Sequence, residues 1–534
     1  MANVTDSSSL LVVPSGWSDG VLGSLKPDDG TGDFTFSRGS DLSATRVNED
    51  GYIEKGYENL FLQSNAFNIA PWNIAGPNYN LTGGQAGYDG SNDAWLLEKT
   101  TTNNSYFGQA VASVGSIYTV SLRAKADSAN SGILLFFGAP FLNVDLEAKN
   151  VYDRRNSIFD SVTDIGNGWV EIVFTFQASN TTVNFQLTTN NLTGQTGSIY
   201  IQDFQINQGL AAYSYIESTT TSAKAGIFED QPRVDYTSGN GAVLIEPSRT
   251  NAVKFSEYIK AIPTITDASL IFWDSSILNP EGYNGAIKYQ STTIIRDGFL
   301  LTALATGAKI SYSIFAKSDS DASFIIGGMY GGENATFNVK TGTFISKGAA
   351  CDSYEIIPFG NGWHRYVVNI TYQNTYNNGY SYSYLRWYSS TEPIYLWGWQ
   401  AEKDATSSSS YIPTYGISTT RAKDTATLTK NVASTGTIYM NINSDSAKTL
   451  TFLGGNVSVT QGVNKIAMAY SPTALKISHN GSIVQNITRA FDTASLTQIQ
   501  LGHRNNFEQT TDGINQFLTL DSFLSDADLN ELTA

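Results

Sequence analysis

Short stretches in which apolar and polar residues alternate recur along most of the chain. Examples are Tyr118-Thr-Val-Ser-Leu122, Val170-Glu-Ile-Val-Phe-Thr-Phe176 and Val183-Asn-Phe-Gln-Leu187. When apolar and polar residues alternate with a period of two residues, they lie on opposite faces of a strand, and β-branched and aromatic residues favour strands. Clusters of Gly, Asn and Ser separate these stretches and favour turns. The pattern predicts an all-β chain whose sheets stack as sandwiches or jelly rolls.

One long pattern of residues occurs twice. Gly115-Ser-Ile-Tyr-Thr-Val-Ser-Leu-Arg-Ala-Lys125 matches Gly307-Ala-Lys-Ile-Ser-Tyr-Ser-Ile-Phe-Ala-Lys317, and Gly166-Asn-Gly-Trp169 matches Gly360-Asn-Gly-Trp363. Further matches lie near the start and the end of each unit: Asn59 with Asn251, Ile199 with Ile394, and Ser214 with Ser410. The offsets of 192 to 196 residues exceed the roughly 20–50 residues of a solenoid repeat. The chain therefore contains two homologous domains in tandem.

The repeat ends near residue 421, and a different β-rich segment follows. Asn480-Gly481 between two short alternating runs predicts a hairpin, because both central residues of a type I′ turn need positive φ. Leu524-Ser-Asp-Ala-Asp-Leu-Asn-Glu-Leu532 predicts a helix that Ser525 caps. Residues 1–58 contain turns but few apolar runs, which predicts an extended arm. The predicted organisation is an irregular N-terminal attachment region (1–58), two jelly-roll modules (59–225 and 226–421) and a further β-sandwich (422–534).

The composition narrows the class of protein. Charged residues make up 15% of the chain, against about 25% in an average soluble domain, and a net charge of −16 argues against nucleic-acid binding. One cysteine, Cys351, excludes intrachain disulfides, and three histidines offer little for metal binding. With no run of 18 apolar residues and no basic, apolar leader, we expect neither membrane insertion nor export. We therefore expect synthesis in a bacterial cytoplasm.

Several motifs resemble those of a known group of proteins. Phe34-Thr-Phe-Ser-Arg38 resembles the N-terminal signature of many phage virion proteins. The second unit is similar to the carbohydrate-binding-module-like jelly rolls of phage head-spike, head-fibre and tail-fibre proteins, through Pro232-Arg-Val-Asp235, Leu244-Ile-Glu-Pro-Ser-Arg-Thr-Asn251, Leu396-Trp-Gly-Trp-Gln-Ala-Glu402 and Ser410-Tyr-Ile-Pro-Thr414. The first unit departs from this pattern at its end, where the tryptophan–glycine pair and the proline are missing. Any ligand-binding role of the family is therefore weaker for the first unit.

Residues 423–534 resemble a laminin-G or concanavalin-like sandwich, through Lys465-Ile-Ala-Met-Ala-Tyr470, Ile477-Ser-His-Asn-Gly481 and Leu524-Ser-Asp-Ala-Asp-Leu529. Together the resemblances imply a structural protein of a bacteriophage virion that adheres to host or environmental glycans. They do not imply catalysis, and by analogy they imply attachment to capsid or tail proteins through the N-terminal region. We expect no cofactor and a homo-oligomer. Glycan cleavage by a tail spike and a purely structural capsid decoration remain as alternatives, and the sequence does not separate head from tail.

Aromatic side chains are the candidate glycan-binding residues, because flat rings pack on the apolar face of a pyranose. The tyrosine-rich stretch of the second unit supplies them: Tyr376, in a loop, and Trp387 and Tyr388, near the end of a strand. We expect Tyr380, Tyr382 and Tyr384 of the same stretch to face the core, because the repeat offset aligns them with core positions of the first unit. Trp169 and Trp363 are predicted to pack after their turns.

Other polar motifs have structural interpretations. Alternation around Gly398 predicts that Trp397 and Trp399 share one face of a strand, and Arg46 and Arg233 are expected to pair with Glu54 and Glu246. Asp319 and Asp321 offer two carboxylates where calcium needs six to eight oxygens, so a solvated turn is expected. Neither a pair of catalytic carboxylates nor a serine-nucleophile motif is identifiable, and the net negative charge favours neutral glycans as ligands.

Overall fold

The structure of this protein is a computed structural model, which describes all residues except 1–5, 15, 19, 75–77, 263–270, 292–295, 302–303, 329–331, 374–380, 388–389, 431–432, 445–446, 494–496 and 502–511. The chain is all-β, as predicted, and forms several separate sheets. In the described part, helical structure is limited to one α-helix, Asp526–Thr533, and the short 3₁₀ turns Ile259–Ala261 and Gly360–Gly362. No helix in this part of the chain is long and apolar enough to cross a membrane.

The first module is a sandwich of two six-stranded antiparallel sheets around one apolar core. Its long sheet has the order Ser157–Gly166, Trp169–Gln177, Ile117–Ala126, Gly197–Gln208, Ala94–Lys99 and Tyr79–Gln85. Its short sheet has the order Asn150–Arg155, Phe141–Asp145, Ser131–Phe136, Thr182–Thr189, Phe107–Ala110 and Asn73–Ile74. The core lies between the two sheets because each strand turns its apolar positions inward.

The second module repeats this arrangement around its own core. Its long sheet has the order Ile271–Leu278, Asn284–Ser291, Ser390–Lys403, Lys309–Lys317, His364–Thr371 and Cys351–Pro358. Arg249–Asn251 also pairs with Ser390–Lys403, and Thr419–Arg421 pairs with Arg249–Asn251. Its short sheet has the order Arg296–Leu301, Ser381–Trp387, Ser323–Gly328, Asn334–Asn338 and Thr343–Lys347.

A buried asparagine at the start of the first module ties its chain entry to its last strand. The Asn59 amide nitrogen donates to the carbonyls of Phe204, 3.1 Å away, and Ile216, 2.9 Å away. The Asn59 amide oxygen accepts the backbone N–H groups of Phe61 and Ile206, both at 3.2 Å. This single side chain therefore satisfies four backbone groups, three of them in fully buried bonds.

The second module contains the same four bonds at the matching positions. Asn251 donates to the carbonyls of Trp399 and Ile412, and it accepts from the N–H groups of Val253 and Ala401. The distances lie between 2.9 and 3.1 Å. The sequence repeat is therefore a repeat of specific hydrogen bonds as well as of strands.

Residues 10–37 of the predicted N-terminal arm are instead part of the C-terminal sandwich. Leu10–Val12 pairs with Asp512–Leu520, and Phe34–Ser37 pairs with Thr425–Thr429. One sheet of this sandwich has the order Arg233–Asp235, Ala242–Ile245, Asp512–Leu520, Gly436–Ser444, Gly462–Tyr470, Ala474–His479 and Ser482–Thr488, and the other has the order Trp17–Ser18, Val21–Leu22, Phe34–Ser37, Thr425–Thr429 and Gln498–Leu501. Phe34 is fully buried in the shared core, so burial of short N-terminal runs against a distant segment overrides their local appearance as turns.

Three small two-stranded sheets complete the β-structure of the described part. They are Thr45–Val47 with Ile53–Lys55, Tyr57–Asn59 with Ala223–Ala225, and Lys448–Phe452 with Gly455–Val459.

Two local predictions for the C-terminal segment are confirmed. Asn480 and Gly481 have φ values of 46° and 81° and join Ala474–His479 to Ser482–Thr488. The Asp526–Thr533 helix begins after Ser525, whose hydroxyl accepts the N–H of Asp528. Turn and cap residues act within a few positions, which is why sequence alone predicts them.

The predicted common face of Trp397 and Trp399 is wrong. Gly398 has a φ of 64°, and the pairing register shifts beside it, which is the signature of a β-bulge. The extra residue places Trp397 against Phe315 and Trp363 on one side of the sheet, while Trp399 lies in the core on the other side. A bulge reverses the alternation on which the prediction rested.

Buried ion pairs join the three points at which the chain passes between domains. Arg233 contacts Glu246 at 2.7 Å and Asp424 at 2.6 Å, Arg38 contacts Asp424 at 3.2 Å, and Arg421 contacts Glu246 at 2.9 Å. All five side chains are buried. We call these five residues the hub. The predicted Arg233–Glu246 pair is confirmed within it, and the predicted Arg46–Glu54 pair, at 2.7 Å, is also present.

Candidate functional site

The outer face of the short sheet in the first module carries a row of amide side chains. In Thr182–Thr189, Val183, Phe185 and Leu187 point into the core, so Asn184 and Gln186 point outward. The sequence builds this face by alternating apolar residues with uncharged amides rather than with Lys or Glu. The two amides are nevertheless only 8% and 6% exposed.

Pairing register places these amides beside residues of the neighbouring strands. Leu134 pairs with Gln186 on one side and with Asn143 on the other. Directly paired residues have their side chains on the same face of a sheet, with strands about 4.8 Å apart. Gln186, Leu134 and Asn143 therefore form one row across three strands.

A second row runs parallel to the first and adds aromatic rings. Phe136 pairs with Asn184 and with Phe141, and Phe141 pairs with Arg155. The Tyr106 ring meets the Phe136 ring edge to face at 5.6 Å, and Tyr106 is 40% exposed. We define the amide face as Asn143, Asn184, Gln186, Leu134 and Phe136, with Tyr106 and Phe141 at its borders.

The amides retain hydrogen-bonding capacity. The Asn143 nitrogen donates to the Asn191 carbonyl at 3.3 Å, but its oxygen is buried and has no partner in the described part of the molecule. The Gln186 nitrogen reaches the Asn104 side-chain oxygen at 3.5 Å, the outer limit of a hydrogen bond. Asn184 makes no side-chain hydrogen bond to the other described residues. A buried, unpaired amide costs free energy that a ligand hydroxyl or a water can recover.

Charge is confined to the border of this face. Arg155 lies over the Phe141 ring, 5.2 Å from its centroid. Asp145 ends the Phe141–Asp145 strand that also carries Asn143, and its carboxylate accepts the N–H groups of Glu147 and Ala148. Asp153, on the edge strand, pairs directly with Asn143, and its carboxylate accepts the N–H of Arg154. Rings flanked by uncharged amides suit a neutral, hydroxyl-rich ligand, since rings pack on apolar sugar faces while amides bind hydroxyls.

Another polar cluster, on the long sheet of the same module, has a structural role. Asp203 occupies a bulge equivalent to Gly398, and its carboxylate accepts the Tyr88 hydroxyl at 3.0 Å. Burial raises the pKa of Asp203 to about 6. Burial, followed by the nearby Asp203 charge, raises the pKa of Tyr88 to about 12. The pair holds in place a bulge in which Asp203, a residue other than glycine, has a φ of 54°.

The glycan-binding residues predicted from sequence are not tested by the structure. Tyr376 and Tyr388 lie outside the described residues, as does Tyr380. Trp387 ends the Ser381–Trp387 strand, whose side chains, including those of Tyr382 and Tyr384, also lie outside the described part. A glycan-binding role for Tyr376, Trp387 and Tyr388 stays a prediction.

The two repeated tryptophans are buried, as predicted for packing residues. Trp169 is 2% exposed and Trp363 is 1% exposed, and each follows a turn in which an asparagine, Asn167 or Asn361, has positive φ. The Trp363 indole donates to the Leu278 carbonyl at 2.9 Å. Neither ring is available to stack on a ligand.

No group of three or more His, Cys, Asp or Glu side chains is placed to hold a metal ion within the described ranges. Asp321 of the proposed solvated turn accepts the side-chain nitrogen of Asn338 at 3.2 Å. This bond ties the turn to the neighbouring strand.

Sequence reasoning missed the amide face, although the signal was present. Val183-Asn-Phe-Gln-Leu187 already alternates core residues with amides, but only the register shows that Asn143 lies in the same row. A search for strands whose outward positions are Asn or Gln rather than charged residues would have found two of the three amides.

Comparisons with known proteins give fold-level neighbours only. No family model and no curated protein matches the chain. Among solved structures, it is similar to the tandem CBM22-1–CBM22-2 domain of Paenibacillus barcinonensis Xyn10C, at 14% identity and a TM-score of 0.22, over 68% of this chain and 98% of that one. It is also similar to the CBM22-1–GH10 modules of Clostridium thermocellum xylanase 10B complexed with xylohexaose, at 16% identity and a TM-score of 0.19. That match covers 31% of this chain and 30% of the other. TM-scores this low carry no argument about function.

Proposed function

We propose that the first module binds a neutral polysaccharide on its amide face. The observation that carries this proposal is the group of three nearly buried amides, in two adjacent rows, with unused hydrogen-bonding capacity beside Phe136 and Tyr106. Sugar hydroxyls satisfy the amides, and an aromatic ring covers the apolar side of a pyranose. The low charge of the face disfavours a polyanionic ligand.

We further propose that the chain is a structural protein of a bacteriophage virion, a head fibre, head spike or tail fibre, and that it binds glycan without cleaving it. The motif resemblance supports this role, and so does an amide face whose bordering carboxylates are engaged by backbone N–H groups. Because the N-terminal strands are built into the C-terminal sandwich, attachment to capsid or tail proteins would use that sandwich rather than a free arm. The same proposal includes assembly of several copies of this chain into a homo-oligomer.

Calorimetric titration of the full chain with neutral oligosaccharides tests the binding proposal. Each hydrogen bond between a side-chain amide and the ligand contributes about 0.5–1.5 kcal/mol. The double variant Asn184→Ala with Gln186→Ala should therefore weaken binding by roughly tenfold or more. Asn80→Ala, at an exposed position of the Tyr79–Gln85 strand in the other sheet, is the matched control and should leave affinity unchanged. Equal affinity for the double variant and the parent would reject the amide face as the site.

Two assays distinguish this proposal from the alternatives of a glycan-cleaving enzyme and a purely structural decoration: one detects sugar products and the other locates the chain on phage particles. Release of reducing ends from host polysaccharide by the full chain would favour a depolymerase over an adhesin. Immunogold labelling of purified particles with an antibody to this chain tests the virion assignment. If the particles are labelled but the chain binds no glycan, the chain is a purely structural decoration of the capsid.

A further inference from the structure

A buried lysine holds two glutamates where the two modules meet. The Lys55 ammonium lies 2.9 Å from Glu257 Oε1 and 3.0 Å from Glu281 Oε2. The three side chains are 5%, 2% and 8% exposed as residues. One positive charge therefore faces two carboxylates in a nearly dry site.

Tyrosine hydroxyls from both modules close this cluster. Tyr213 of the first module donates to Glu281 Oε1 at 2.5 Å. Tyr411 and Tyr415 of the second module donate to Glu257 Oε1 at 3.1 and 3.0 Å. We call these three tyrosines with Lys55, Glu257 and Glu281 the junction cluster. Its members come from the first module, the second module and the hairpin that precedes the first module.

The same junction contains packing and backbone contacts. The Ile117 N–H of the first module donates to the Tyr415 carbonyl at 2.8 Å, and the Ile53 N–H donates to the Pro280 carbonyl at 2.9 Å. Leu210 of the first module belongs to the apolar core of the second. The modules are therefore in direct contact, and the junction cluster lies within that contact.

The cluster has one carboxylate more than it has cations. Burial raises the pKa of Glu281 to about 7. The Lys55 charge opposes this rise, the Glu257 charge adds to it, and the hydrogen bonds from Tyr213 and Lys55 oppose it. Tyr283, the neighbour of Glu281, has a pKa above its ordinary value chiefly because it is buried. Lys55 stays protonated, because its two carboxylates raise its pKa against the effect of burial.

We propose that the junction cluster is a proton-dependent clamp. With one proton on Glu281 the cluster is neutral and holds the two modules in fixed contact, and loss of that proton leaves an uncompensated buried negative charge that weakens the contact.

The sign and the size of the effect follow from linkage. A carboxyl group whose pKa is raised by docking binds its proton more tightly in the docked state, so the stabilisation is present at low pH and is lost as pH rises through the docked pKa. With a pKa of about 7 when docked, against the ordinary glutamate value of 4.5 taken for the separated modules, the docked-to-separated ratio falls by about tenfold between pH 6 and pH 8. Above pH 8 little further change is expected.

Hydrogen exchange of the Ile117 amide in the full chain tests the clamp, because this N–H is bonded across the junction. After division by the intrinsic chemical exchange rate, its opening should increase by about tenfold from pH 6 to pH 8. The amide of Val120, which is paired only within the first module, is the internal reference. Glu281→Gln mimics the protonated side chain and should make the Ile117 opening independent of pH.

Two further variants make the test specific. Asp203→Asn removes a carboxyl with a pKa of about 6 from inside the first module and should leave the pH response of Ile117 intact. Tyr213→Phe removes a hydrogen bond that favours the charged form of Glu281, so it should move the midpoint of the response to higher pH. The clamp is refuted if Glu281→Gln retains the tenfold change, if Asp203→Asn removes it, or if Tyr213→Phe does not move the midpoint.

Discussion

Replacing Asn59 by alanine tests whether the repeated asparagine determines the stability of each module. The substitution removes four hydrogen bonds at once and leaves the carbonyls of Phe204 and Ile216 and the N–H groups of Phe61 and Ile206 without their partner. Asn59 is fully buried, so water does not readily replace it.

The magnitude follows from the number of bonds. A buried hydrogen bond contributes about 1 kcal/mol net, and an unsatisfied buried group costs about as much or more, so the loss should be roughly 4 kcal/mol or greater. In a domain of 150–250 residues, 1 kcal/mol shifts the unfolding temperature by about 2–4 °C. We therefore expect the first-module transition to fall by roughly 8–16 °C, and Asn251→Ala should lower the second-module transition by a similar amount.

Differential scanning calorimetry of the full chain measures both shifts. Asn150→Ala is the control, because this exposed asparagine makes no side-chain hydrogen bond to the other described residues. A shift of Asn59→Ala no greater than that of the control would refute the reasoning, because four hydrogen bonds of a buried side chain would then have been lost at no cost.

Three other perturbations probe the parts that hold the domains together. Arg233→Met should cost about 3–5 kcal/mol in chemical denaturation, because it leaves buried carboxylates underpaired, whereas Arg46→Met at a partly exposed pair should cost about 0–1 kcal/mol; equal costs would contradict the role of burial. Deleting residues 6–13 removes the Leu10–Val12 strand and should make the C-terminal sandwich protease-sensitive, and unchanged resistance would show that this strand is dispensable. Although burial opposes it, the neighbouring arginines lower the pKa of Glu246 to about 2. The stabilisation that its charge provides is therefore complete above pH 4.5 and is lost as pH falls towards 2. In Glu246→Gln, the unfolding temperature should decrease less steeply as pH falls through this range.

Local and repeated features of this fold are predictable from sequence. Strand periodicity, the Asn480-Gly481 turn and the Ser525 cap depend on residues a few positions apart, and each is present in the structure. The duplication is visible because Asn59 and Asn251 perform the same hydrogen bonding and therefore sit at matching positions. In these cases the physical cause acts within the stretch of sequence that was compared.

Long-range pairing is not predictable in the same way. Leu10–Val12 pairs with a strand about five hundred residues away, and three residues of local pattern do not specify such a partner. A bulge at Gly398 reverses the facing of Trp397, although glycine in a strand is compatible with either arrangement. The amide face required the register of Ser131–Phe136 against both of its neighbours, which no single strand contains.

The hub gives a physical reason to treat the chain as one assembly rather than as independent modules. Replacing a buried ion pair by well-packed apolar residues is often neutral or stabilising, so stability alone does not explain why Arg233 is buried between Glu246 and Asp424. A buried charge is tolerated only when it contacts a partner of opposite charge. Any other arrangement of the segments that carry these residues would bury an unpaired charge and would therefore be destabilised. Arg38, Arg233 and Arg421 come from the three passages between domains, and the first and last strands close one sandwich. We infer that the hub specifies how these passages meet, so that substitutions there should disturb the arrangement of the domains before they disturb any single core.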